Sequence, residues 1–234
     1  MLEAGLWGLI AGSSLVLGAA LGIWLPIPRR YVALIMGFGA GALVSALAFD
    51  LTFEAFEEGG ALLTAIGLAA GGLTFFVGDV FIESGAGKAG GAGLAIVLGA
   101  LLDGLPESFV LGASLLGGAG VSVSFLVAVL LSNLPEGIAG ARDLREGGHS
   151  PRWILGLWTG VAIVSGIAAA LGYALIGSMS GEPQGIAKAF AAGAILTMLA
   201  DTMFPEAYEG GGKGVGLATL LGFALAFFLS TMPD

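Results

Sequence analysis

The sequence predicts an all-α membrane protein: one domain over residues 1–234, built from eight transmembrane helices. Three observations carry this. The chain is 57% hydrophobic and only 11% charged, with a mean hydropathy of +0.99, where a soluble domain carries about 25% charged residues. Its apolar runs repeatedly reach the roughly 20 residues needed to cross a bilayer. Its 43 glycines fall mostly inside those runs, where small residues let helices pack closely in lipid. With no cysteine there is neither a disulfide nor a thiolate metal site. The net charge of −9 argues against nucleic acid and for a cation as the partner.

The spans follow in order, at roughly 4–25, 31–56, 61–82, 93–117, 121–141, 153–178, 185–208 and 214–232. Met1-Leu2-Glu3-Ala4 lacks a basic stretch, so no cleavable signal peptide is expected before span 1. Pro26-Ile27-Pro28-Arg29-Arg30 separates spans 1 and 2. Span 2 carries Asp50 and Glu54 towards its end, and span 3 carries Asp79 and Glu83. Spans 4 and 5 hold the most polar phrases. Span 6 has no acid, and span 7 carries Asp201, Pro205 and Glu206. Trp7, Trp24, Trp153 and Trp158 fall near span ends and are expected to be interface anchors. Gly37–Gly41 and Gly156–Gly160 match GxxxG, which predicts close helix contacts within one protomer or at a homodimer seam.

Lys and Arg set the orientation. Arg29, Arg30, Lys88, Arg142, Arg145, Arg152 and Lys213 fall at breaks on one side, and only Lys188 falls on the side of the termini. The positive-inside rule then predicts a multi-pass protein of the cell (inner) membrane with both termini outside.

An internal repeat appears at an offset of 152 residues. Phe38-Gly39-Ala40-Gly41-Ala42-Leu43 matches Phe190-Ala191-Ala192-Gly193-Ala194-Ile195. Glu54-Ala55-Phe56-Glu57 matches Glu206-Ala207-Tyr208-Glu209. The copies lie five spans apart, so they cross in opposite directions. This predicts an inverted repeat of helices 1–3 and 6–8 around central helices 4 and 5, an architecture typical of transporters.

The central spans carry the chemistry. Asp103-Gly104-Leu105-Pro106-Glu107 lies in span 4 and Ser132-Asn133-Leu134-Pro135-Glu136 in span 5, 29 residues later. A charged side chain at the bilayer centre costs about 2.5–3.5 kcal/mol on insertion scales and marks a functional site. Asp103 and Glu107 are spaced i,i+4 and share a helix face, as do Ser132 and Glu136. Pro106 denies the Leu102 carbonyl a donor and Pro135 denies that of Leu131, so these oxygens are left for a ligand or water. No Lys or Arg falls mid-span, so the acids must be protonated, hydrogen-bonded or bound to a cation. Five side-chain oxygen donors are expected, from Asp103, Glu107, Ser132, Asn133 and Glu136. An oxygen-only set suits harder divalent ions. Asp50, Glu54, Asp201 and Glu206 form a second tier along the pathway, and the lone His149 falls in a charged loop.

At these residues the chain resembles the ZIP family of divalent-metal transporters, above all its prokaryotic branch. The resemblance covers essentially the whole chain and rests on the doubled Pro-Glu phrases. It implies eight spans with both termini outside, and a metal site between helices 4 and 5. It implies that Glu107 and Glu136 are ligands able to bridge metals and that Asn133 is a further ligand. The family places histidine where Asp103 stands and asparagine where Gly104 stands. Some members carry an acid on helix 6 for a second metal, and this chain has none. The departures move the expected substrate from zinc towards Mn, Fe(II), Cd or Mg.

The expected function is a carrier importing a divalent metal cation, of the Zn, Mn, Fe(II) or Cd class, into the cytoplasm by alternating access. A cation channel or a proton-coupled exporter on the same frame is the alternative. An enzyme is not expected: there is no Gly-x-Gly-Asp for an intramembrane aspartyl protease and no His-Glu-x-x-His for a metalloprotease.

Overall fold

The computed structural model describes residues 1–82, 84, 92–117 and 120–231. Glu83 and Lys88, used above, lie outside the described residues. Every regular element described is helical: α1 (Leu2–Trp24), α2 (Arg29–Ala46), α3 (Phe53–Phe81), α4 (Ala92–Ser114), α5 (Val123–Glu146), α6 (Pro151–Gly177), α7 (Glu182–Met198), α8 (Phe204–Gly211) and α9 (Gly214–Ser230), with a short 3-10 turn closing α4. Six helical stretches are long and apolar enough to cross a membrane, and the apolar α9 is shorter. Large side chains such as Leu62, Leu73, Phe81 and Leu217 lie exposed on the outer surface, as expected of a face that meets lipid rather than water.

Two π-helical turns, Leu47–Thr52 and Leu199–Met203, join α2 to α3 and α7 to α8. They begin 152 residues apart, at the offset of the sequence repeat. Pro205 removes a ladder donor beside the second turn, but Phe53 stands at the matching place beside the first. The widening therefore does not depend on proline. Helical bonding continues from Arg29 to Phe81 except at Gly60, which leaves helical geometry at φ 71° and ψ 174°. Its counterpart Gly212 ends α8 at φ 61°. Both conformations lie in the region that favours glycine.

Packing follows the same offset. α3 packs on α7 and α9 on α2, while α1 packs on α5 and α4 on α6. The Phe190 carbonyl lies against Gly71, and the Phe38 carbonyl, 152 residues earlier, lies against Gly222. α1 also runs antiparallel to α6, with Gly5 at Gly166 and Gly12 at Ala162. The start of α1 therefore shares one end of the bundle with the end of α6.

Two sequence expectations are corrected here. Trp158 lies well inside α6 and is 1% exposed, packed against Gly140, because its helix turns that face to the core. Trp24 and Trp153 are exposed. The two GxxxG matches also differ: Gly41 lies against the Thr219 backbone at the α2–α9 seam, whereas open space faces Gly156 and Gly160.

Candidate functional site

The two Pro-Glu phrases meet at the centre of the bundle. Pro106 and Pro135 both sit inside continuous helices. Glu107 is 2% exposed and Ser132 1%. The Ser132 hydroxyl oxygen lies 3.4 Å from both carboxylate oxygens of Glu107 and 3.0 Å from the Val129 carbonyl. Its single hydrogen favours the nearer carbonyl. Lone pairs from α4 and α5 then face each other, an arrangement completed by a proton on Glu107 or by a cation. Asn133, also buried, donates its amide nitrogen to the Ala11 carbonyl of α1 at 3.3 Å. That leaves its amide oxygen as the end able to accept or ligate.

Backbone contacts fix this geometry. A Cβ at Gly137, next to Glu136, would overlap the Leu15 carbonyl of α1, and one at Gly18 would overlap the Leu134 carbonyl of α5. The Leu131 carbonyl, orphaned by Pro135, lies against Gly39 of α2, 2.7 Å from where a Cβ would stand. This oxygen thus faces the close approach of α2 at Gly39, the side from which a ligand or water was expected to meet it.

Asp103, Glu107 and Glu136 lie within electrostatic range of one another. Among the described residues, however, no three of His, Asp and Glu stand close enough to hold one metal ion. The site is an assembly of paired donors, with Glu107 and Ser132 in contact and Asp103 and Glu136 farther off. From there a series of acids runs towards one end of the bundle: Glu136 is in range of Glu206, and Glu206 of Asp143. Asp79 of α3 is in range of Asp103. The sequence places Asp79 in span 3 without linking it to the central phrases.

A cavity lies at each end of the bundle. The first, of about 580 Å³, is lined by Asp50, Glu54, Glu57, Glu58 and Lys188 and bordered by Ser230 of α9 and Ile176 of α6. It therefore opens at the end that holds the start of α1 and the end of α9. Asp50 accepts hydrogen bonds there from Ser124 at 2.6 Å and Ser122 at 3.1 Å. Ser122 also caps α5, accepting from the Phe125 amide at 3.3 Å. The second cavity, of about 340 Å³, is lined by Arg29, Met36, Arg142, Asp143, Glu146 and Glu206. Ser124 and Ala139 of α5 border the two cavities, and Ser132 lies about midway, some 10–12 Å from each at 1.5 Å per residue.

The first cavity ends on an apolar layer on the side of Glu107: Val110 and Phe125 line it, and Leu111 and Val129 are buried in the same cluster. The expected second tier is thus divided. Asp50 and Glu54 serve the first cavity and Glu206 the second. Asp201 is exposed and lines neither. Its repeat partner is Phe49, also exposed, while Asp50 matches Thr202. One residue of difference rotates a side chain by about 100° around a helix.

No family model matches the chain, and no curated protein matches it.

Proposed function

We propose that the protein is a ZIP-like carrier that moves a divalent metal cation across the membrane, with the metal as substrate at Asp103, Glu107, Ser132, Asn133 and Glu136. The observation that carries this is the buried contact of Glu107 with Ser132, between two Pro-Glu helices and with Asp103 and Glu136 in electrostatic range. A scaffold gains nothing from several carboxylates at this depth, and a cation moving through needs them. Oxygen donors alone favour Mn, Fe(II), Cd or Mg over a nitrogen-seeking ion, with zinc still a substrate.

The reading includes eight crossings. The 53-residue stretch Arg29–Phe81 would be about 80 Å long as one rod, against about 30 Å of hydrocarbon. It is read as two crossings that meet at Gly60, with α9 as the eighth span. The matched π turns, the matched glycines and the paired seams support an inverted repeat. The end rich in Arg29, Arg142 and Arg145 is read as cytoplasmic and the first cavity as outer. The apolar layer below the first cavity favours a carrier with alternating access over an open channel.

The test is metal uptake into proteoliposomes. Glu107→Ala and Glu136→Ala are each expected to abolish saturable uptake of Mn, Zn or Cd. Wild-type rates in both variants would sink the site. Protons compete for the same carboxylate oxygens, so uptake should fall as the pH falls from 8 to 5. A flat profile would count against carboxylate ligation.

A further inference from the structure

Among the described residues, Lys188 is the single basic residue lining the outer cavity, and it is already engaged. Its Nζ lies 2.7 Å from Glu58 Oε1 and 2.9 Å from Glu54 Oε2, and the side chain is only 11% exposed. It reaches from α7 to α3 and seats an ammonium between two carboxylates in the wall of a cavity that also holds Asp50 and Glu57. The other oxygen of Glu58 is buried and, among the described residues, has no hydrogen-bond partner. The carboxylate pair therefore binds a cation in this structure, and that cation belongs to the protein.

The repeat shows that this is an addition to the frame. At an offset of 152 residues, Glu54 corresponds to Glu206, Glu58 to Gly210 and Lys188 to Met36. All three counterparts line the second cavity. That cavity keeps the glutamate and has neither the lysine nor its second partner. The second end has an ion pair of its own, Arg29 with Glu209 at 3.5 Å, but it is built from unmatched positions and both side chains are 72% exposed. The largely buried lysine between two glutamates is a property of the first mouth.

We propose that Lys188 is a tethered cation that occupies the Glu54–Glu58 pair and competes there with the incoming metal ion. It sets a threshold on capture. A monovalent ion gains too little from the pair to displace a covalently held ammonium, whereas a divalent ion gains about twice the Coulomb attraction at equal distance. This deepens the transport reading, because it gives the outer mouth a residue that decides which cations, at which concentration, reach the apolar layer.

The test uses the wild-type chain first, in detergent, with Mn2+ as the probe. Acylation of Lys188 by an N-hydroxysuccinimide ester, followed on its peptide by mass spectrometry, should be slow without metal and rise severalfold on titration with Mn2+. Equal K+ charge should not raise it. In parallel, free Mn2+ counted by its paramagnetic resonance signal should show tighter binding to Lys188→Gln than to wild type at low ionic strength. Lys188→Arg should restore the wild-type curve, and adding Glu54→Gln and Glu58→Gln to Lys188→Gln should remove the gain. Labelling indifferent to Mn2+, or identical binding by wild type and Lys188→Gln, overturns the proposal. None of these readouts needs transport. If Glu107→Ala and Glu136→Ala take up metal normally while Mn2+ still releases Lys188, the transport site falls and the tethered cation stands.

Discussion

The first and second cavities draw on positions matched at the offset of 152, yet they relate to the central residues in different ways. Glu54, Glu58 and Lys188 line one, and Glu206, Gly210 and Met36 line the other. Beyond the inner cavity the acids continue, from Glu206 to Glu136 and on to Glu107. Beyond the outer cavity they stop at Asp50, and Val110, Leu111, Phe125 and Val129 intervene. Acids thus run from the central residues to the second cavity, while apolar side chains stand between them and Asp50. The contrast teaches that a frame with matched backbone turns becomes asymmetric through a few side chains, which under the proposed function would give a path its direction. The backbone turns at Gly60 and Gly212 keep the symmetry, and the cavity linings break it.

The largest effect should come from disturbing the contact that holds the site in register on both sides. Gly137→Val places side-chain atoms into the Leu15 carbonyl, which is helix backbone and has no rotamer to yield. Overpacking of this kind typically costs about 1–3 kcal/mol and shifts the helices concerned. Separation of α1 from α5 would move Glu136 and Asn133 together. Uptake should fall at least tenfold with the protein still in the membrane fraction, and thermal stability in detergent should drop. Gly156→Val, which meets open space, should leave both unchanged. Equal behaviour of the two variants would show that the α1–α5 seam does not position the site.

The next effect separates the acid series from the apolar seal. Glu206→Gln keeps size and removes the charge that bridges Glu136 and Asp143. Uptake should slow by about threefold to tenfold through slower release, with initial binding at Glu107 retained, since one lost charge at partly screened distance is worth on the order of 1 kcal/mol. Asp201→Asn, on the exposed side of the preceding turn, should have no effect. A larger loss from Asp201→Asn than from Glu206→Gln would reverse the assignment of the path.

Much of this was legible in the sequence, and the division has a physical cause. Hydropathy marked the apolar helices, six of them long enough to cross a membrane, and the doubled Pro-Glu phrase pointed to the pair of helices that meets at Glu107 and Ser132. The offset of 152 also led to the matched turns. Facing directions were not legible. In a soluble helix the polar stripe reveals the exposed face, but in lipid both the core and the outer face are apolar. So Trp158, expected at the interface, lies buried, and Asp201, expected in the second tier with Asp50, Glu54 and Glu206, lies exposed and lines neither cavity. The π turns escaped because only one copy has a proline. The Lys188 contacts escaped because partners 130 and 134 residues apart leave no local pattern.

The smallest effect offers the sharpest comparison, because it transplants the difference itself. Met36→Lys puts a lysine into the inner cavity at the position matched to Lys188, with Glu206 where Glu54 would be. Gly210 supplies no second carboxylate at the matched place, and Arg29 and Arg142 already share this cavity's acids, so the new ammonium is held less firmly than Lys188. It should oppose release of a divalent ion through the inner mouth by about twofold to threefold, an effect that shrinks as ionic strength rises because the cavity is partly open to solvent. Met36→Lys with Gly210→Glu would rebuild the outer arrangement at the inner mouth and enlarge the effect. Measured as Mn2+ uptake at two salt concentrations, the double variant should be slower than the single. If the single and double variants match wild type at low salt, the two mouths differ by more than their linings, and the apolar layer alone gives the path its direction.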